Sequence, residues 1–312
     1  MRFRRYAGAV LAFNLAVILW GGFVRATGSG AGCDRHWPLC NAEIVPPPSP
    51  TAYTLIEFTH RISSGLALLL VVGLVWASRA LPRRHRARRA AAWSLGFVLG
   101  EALVGAGLGL FELVGDNDSM LRASYLAVHL LNTFLLLGSL ALTTHWATQS
   151  DPWQRPSAGA APWLLGAGLL GVLVVGMTGA VAALGDTLFP AGSLTEGLRA
   201  DTAPAAHLLV RLRVLHPLFA VLTGLYLSLM MWLVGRERPA ALESRWARLL
   251  PTLVLIQLGA GLTNLLLLAP ITLQLVHLFL ADLLWIALVL FGATALAAPR
   301  EHDVNSQRAR AD

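Results

Sequence analysis

Four histidines, His60, His129, His216 and His277, each fall in the opening turns of a long apolar run. Imidazole is expensive in hydrocarbon and usually faces a bundle interior when it occurs there, so four at matching depth need a common cause. Paired axial ligation of haem iron uses such residues two at a time, and two pairs imply two haem sites. Any one of the four alone is explained by an ordinary buried histidine; two related pairs are not. The other five lie elsewhere: His36 in a polar loop, His85 within a run of arginines, His145 at the far end of its apolar run, His207 nine residues ahead of His216, and His302 in a polar tail. These read as solvated or peripheral.

Beside the histidines the two halves of the chain differ. Glu57 stands three residues before His60, and Arg213 three before His216, a spacing that puts each on its histidine's helical face. A carboxylate there, partly desolvated, can exchange protons or steady developing positive charge, which makes the N-terminal site the reactive one and Glu57 its catalytic candidate. The alternative for Glu57 is a helix-start carboxylate favoured by the macrodipole. Arg213, with Arg25, Arg61 and Arg211 at the same level, is a candidate for holding haem propionates, against simple snorkelling to the interface. Glu101 and Asp282 are intramembrane carboxylates with no partner visible in sequence, while Asn132 and Asn264 suit bonds across helices. The stretch Gly185-Asp186-Thr187-Leu188-Phe189-Pro190 reads as either a lid or a surface turn.

The elements that must position these residues are membrane helices. With 56% hydrophobic and 13% charged residues over 312 positions, the chain is too apolar for a soluble domain. Runs long enough to cross a bilayer cover 6–26, 54–78, 91–113, 122–146, 162–184, 207–234, 249–268 and 272–297. The first lacks a cleavage pattern and reads as a retained helix. All 24 basic residues are arginine, and 17 of them fall before run 1, after the even-numbered runs, or in the tail. The positive-inside rule then places both termini in the cytoplasm and all four histidines towards the outer face. Arginines that merely flank helices argue against nucleic-acid binding. Cys33 and Cys40 fall in the first outer loop, where a disulfide can persist; it is favoured over free thiols and over a half-filled metal site with His36.

The two halves also repeat. Gly105-Ala106-Gly107-Leu108 recurs as Gly259-Ala260-Gly261-Leu262 at an offset of 154, His60 maps onto His216 at 156, and His129 onto His277 at 148. The fold expected is an all-α integral membrane protein of eight transmembrane helices, arranged as two pseudo-symmetric four-helix bundles related by an axis along the membrane normal. The N-terminal half is 1–150, the C-terminal half 151–299, and 300–312 a cytoplasmic tail. The glycine tracts read as close helix packing, with room for a flat macrocycle as the other use.

Several of these motifs together resemble the haem A synthase family. They are Gly21-Gly22-Phe23-Val24-Arg25-Ala26-Thr27-Gly28-Ser29-Gly30; Cys33 with Trp37-Pro38-Leu39-Cys40; Ile56-Glu57-Phe58-Thr59-His60-Arg61; Thr178-Gly179-Ala180 ahead of Gly185–Pro190; and His277 with Ala281-Asp282-Leu283-Leu284-Trp285. The resemblance implies a plasma-membrane oxidoreductase that converts the C8 methyl of haem O to the formyl of haem A for terminal oxidases, by successive hydroxylations. It implies a resident haem b on His216 and His277, substrate haem on His60 and His129, an essential acid at Glu57, and a disulfide between Cys33 and Cys40. Haem O synthase, an electron acceptor and membrane lipid are the partners it suggests. The segment Ala191–Glu196 lacks the second cysteine pair that some members carry, which puts any two-disulfide relay in doubt. Competing readings are a bis-histidine di-haem b electron carrier, using the same four histidines, and a haem transporter or chaperone.

Overall fold

The computed structural model describes residues 2–43, 49–148 and 159–297. The boundary expected at 150/151, the loop arginine Arg155 and the tail with Arg300, His302, Arg308 and Arg310 lie outside them. The helices are α1 (Arg2–Ala26), α2 (Ala52–Ser78), α3 (Arg86–Leu110), α4 (Met120–Trp146), α5 (Ala161–Leu188), α6 (Leu194–Thr202), α7 (Leu208–Leu212), α8 (Leu215–Glu237), α9 (Arg245–Leu266) and α10 (Ile271–Ala297). With α7 and α8 counted as one crossing, eight are long and apolar enough to span a bilayer. The described fold is all-α.

The apolar runs understate the helices, because arginine-bearing turns beyond the hydrocarbon still close their backbone bonds. Thus α1 begins at Arg2 and α3 at Arg86. Hydroxyl side chains set several starts: Thr51 accepts from the Thr54 N–H, Ser119 from Arg122 and Ser244 from Ala247. At the start of α5 the cap comes from a distance, Glu237 Oε2 accepting from the N–H groups of Ala160 and Ala161 at 3.1 and 2.9 Å. Two expectations need correction. The sixth span is interrupted at Arg213-Val214, and Gly185–Leu188 form the last turn of α5 rather than a lid or loop. A short outer helix, α6, fills part of the following connection.

The core lies where the halves meet. α4 and α10 are the most enclosed spans, with 56% and 50% of their apolar windows buried against 11–28% elsewhere. Phe134 of α4 stacks on Trp285 of α10 with ring centres 5.3 Å apart, and the Trp285 indole N–H donates to the Phe134 carbonyl. Gly138 and Gly176 let these rings approach, since a Cβ at Gly176 would lie 2.7 Å from Phe134. Exposed leucines and tryptophans such as Leu69, Leu103, Trp93 and Trp163 sit on the outer faces, as a lipid-facing surface requires.

Candidate functional site

Each of the four histidines is half-buried. His60 lies eight residues past Ala52, against α1, where a Cβ added at Gly21 would come within 2.9 Å of its Cε1. His216, near the start of α8, meets α5 in the same way: a Cβ at Gly179 would stand 2.9 Å from its Cε1. The two glycines are 158 residues apart and the two histidines 156. His277 presses on α9, with Gly261 allowing an approach that a Cβ would narrow to 3.0 Å. Three imidazoles therefore lie flush on glycine faces that any larger residue would fill. Gly107, the repeat partner of Gly261, instead faces Tyr125, so that tract serves plain packing in the N-terminal half.

His216 and His277 have ring centres 6.1 Å apart and planes at 89°. Two imidazoles bound to one metal ion at about 2 Å per bond would stand roughly 6 Å apart centre to centre. Nδ1 of His60, of His129 and of His277 is buried without a hydrogen-bond partner among the described residues. His216 Nδ1 lies 3.2 Å from the Val175 carbonyl, the kind of second contact that orients a ligating imidazole. These residues fit an iron porphyrin.

Glu57 is 6% exposed and fully engaged. Its Oε1 accepts from Arg61 Nη2 at 2.5 Å and Nε at 3.1 Å, and Oε2 accepts the Cys33 N–H at 2.8 Å. Arg61 also donates through Nη1 to the carbonyls of His36 and Leu39, while Cys33 and Cys40 form a disulfide. The carboxylate is thus pinned between α2 and the disulfide loop, one helical turn from His60.

The arginines divide similarly. Arg25 donates across the halves to the Ala183 carbonyl and Thr187 Oγ1 at 2.8 Å each, and to Gln274 Oε1 at 2.6 Å. Arg213 pairs with Asp201 at 2.8 Å and Asp186 at 2.9 Å. Arg211 is exposed and its side chain contacts no acceptor among the described residues. Arg238, one of the arginines expected at the inner face, is fully buried and donates to the Ala295 carbonyl.

Sequence reading left Glu101 and Asp282 without partners. Asp282 is fully buried with neither oxygen hydrogen-bonded among the described residues. Glu101, by contrast, meets His129 at 3.1 Å. His207 caps α7 and stands 3.5 Å from Asp118, and Asn264 Oδ1 has no partner among the described residues. Sequence reading also missed Gln257, whose Nε2 lies 3.3 Å from His277 Nε2, because the register of α9 against α10 carries no signal in the chain.

The family model for COX15-CtaA, cytochrome oxidase assembly protein, matches residues 4–289. The chain belongs to this family. Among similar proteins, one from Thermus thermophilus named protoheme IX farnesyltransferase is 50% identical over 296 residues, 95% of this chain and 48% of the relative. A heme A synthase from Symbiobacterium thermophilum is 35% identical over 153 residues, 48% of this chain and 47% of the relative. Another from Geobacillus kaustophilus is 36% identical over 121 residues, 38% and 37% of the two chains. The chain spans about half the length of the first of these relatives. For a COX15-CtaA member, eight membrane-length helices and a disulfide-bonded cysteine pair are now in place.

Proposed function

We propose that this multi-pass membrane protein is a haem A synthase that oxidises the C8 methyl of haem O to a formyl group. The observation that carries the reading is the constellation itself: four histidines at the starts of spans, three of them on glycine faces, with an acid pinned one turn from His60. Methyl-to-formyl conversion removes four electrons and adds one oxygen atom, so an electron acceptor and an oxygen donor are also required. His60 and His129 hold the substrate by its iron. Glu57, fixed by Arg61 and the Cys33 N–H, accepts protons from, or electrostatically steadies, the carbon being oxidised. His216 and His277 would hold haem b, which when bound supplies one-electron exchange. Of the four candidate arginines, Arg211 is the one with no side-chain hydrogen bond or ion pair among the described residues, and we assign it to a propionate, while Arg25, Arg61 and Arg213 order the surrounding protein.

The sites face the outside of the plasma membrane in this reading, from the arginine distribution. The farnesyltransferase name of the 50% identical relative attaches to a protein matched along 48% of its length. We assign farnesyl transfer to a partner of the haem O synthase class and the oxidation to this chain.

A second reading follows from the engagement of both Glu57 oxygens, which suits a structural acid in a bis-histidine di-haem b electron carrier. Haems extracted from membranes of a haem-O-producing host, with and without the protein, separate the two on chromatography and mass analysis. Haem A or its hydroxylated precursor supports the synthase. Unchanged haem O beside a protein carrying two b-type haems overturns it.

A further inference from the structure

Of the four histidines, His129 alone has a carboxylate within reach among the described residues. Glu101 sits two-thirds of the way along α3, its side chain 18% exposed, with Oε2 3.1 Å from His129 Nδ1. The two atoms are within hydrogen-bond distance, with the imidazole N–H off the line of a straight bond. The carboxylate itself is held. Oε1 accepts from Asn132 Nδ2 at 2.6 Å and Thr133 Oγ1 at 3.1 Å, and Asn132 is anchored in turn to the Phe97 carbonyl at 2.8 Å. His129, Asn132 and Thr133 occupy one face of α4 at i, i+3 and i+4, so a single helix surface grips one acid. Gly100 makes room, since a Cβ there would stand 2.7 Å from Asn132 Oδ1.

The C-terminal half has an amide rather than a carboxylate beside its histidine. Gln257 of α9 reaches His277 Nε2 at 3.3 Å and donates to the His277 carbonyl at 3.2 Å. We propose that Glu101 is the positioning residue for His129, and that the Glu101/Gln257 difference gives the two halves axial imidazoles of unequal donor strength. The inference rests on His129 being an axial ligand. A carboxylate accepting an imidazole N–H fixes the ring and raises its basicity, whereas the Gln257 group facing His277 is the amide nitrogen, a donor that accepts no imidazole N–H. The N-terminal iron is thereby held by the more electron-rich ligand.

The test uses full-length parent, Glu101→Gln, Glu101→Ala, His129→Ala and Gln257→Glu proteins titrated with ferric protohaem, with Soret absorption and reduction midpoint as readouts. Glu101→Ala is expected to weaken one of the two sites about 10- to 100-fold. Glu101→Gln, isosteric and still able to accept from Asn132 and Thr133, moves that haem's midpoint to more positive potential with a smaller loss of affinity. Gln257→Glu moves the other haem's midpoint the opposite way. A Glu101→Gln midpoint equal to the parent's, while His129→Ala loses the site, overturns the positioning role and leaves the ligand in place. If His129→Ala also retains both haems, the ligand assignment falls and this inference with it.

Discussion

At His60 and His216 the same local device recurs: an imidazole laid on a glycine of the neighbouring helix, Gly21 or Gly179, with no space for a methyl group. Alanine normally favours a helix over glycine by about 0.5–1 kcal/mol. Gly179→Ala should therefore leave the helix intact yet displace His216 and empty the C-terminal site alone. Gly21→Ala should do the same at His60. Haem stoichiometry and helical circular dichroism of the purified variants check both, and loss of both haems in either variant would contradict the pairing of glycine with histidine. Glu57 supplies a different prediction. Glu57→Gln keeps an acceptor for the Cys33 N–H but removes the charge facing Arg61. Turnover of haem O should fall by about 10²- to 10⁴-fold while haem binding persists, the range expected for a lost acid–base group. Full turnover would make Glu57 purely structural. The histidines and Glu57 were legible from residue type and spacing. The glycines beneath them were not, because glycine in a membrane helix signals close approach without naming what approaches.

Among the elements, the break between α7 and α8 was invisible to hydropathy, since the run from 207 to 234 averages as one apolar span despite Arg211 and Arg213. Arg213 at that break is 11% exposed and bridges Asp186 at the end of α5 to Asp201 of α6. Removing the cation leaves Asp201, 13% exposed, and the more open Asp186 without their shared partner. Arg213→Ala should lower stability by about 2 kcal/mol, as expected for losing charge-assisted hydrogen bonds, and Arg213→Ala with Asp201→Asn should recover part of it. Thermal unfolding in detergent measures both, and equal midpoints for the single and double variants would remove the network from the stability of this face. The count of eight spans was fully readable in sequence, because the bilayer imposes a length on every apolar run. The partners of polar residues within those spans were not readable. Glu101, placed by α3 against α4, shows why: its contacts cross between helices at a register that only packing sets.

For the whole molecule, the arginine distribution makes orientation testable. Arg84→Cys, in the exposed turn between α2 and α3, should resist an impermeant maleimide in intact cells, whereas Arg199→Cys on α6 should react. The reverse pattern would invert the topology and place the proposed haem sites inside. The first and last spans also touch, Gly22 of α1 receiving Leu275 and Leu278 of α10. Among the described residues Arg25 finds its acceptors on α5 and α10, at Ala183, Thr187 and Gln274. This imposes an order in time. A ribosome delivers α1 first, yet its guanidinium stays without these protein acceptors until α5 arrives and is fully held only when the eighth span enters the bilayer. Closure of the bundle then waits on the synthesis of α10, and a chain halted after α9 would keep α1 waiting for a neighbour not yet made.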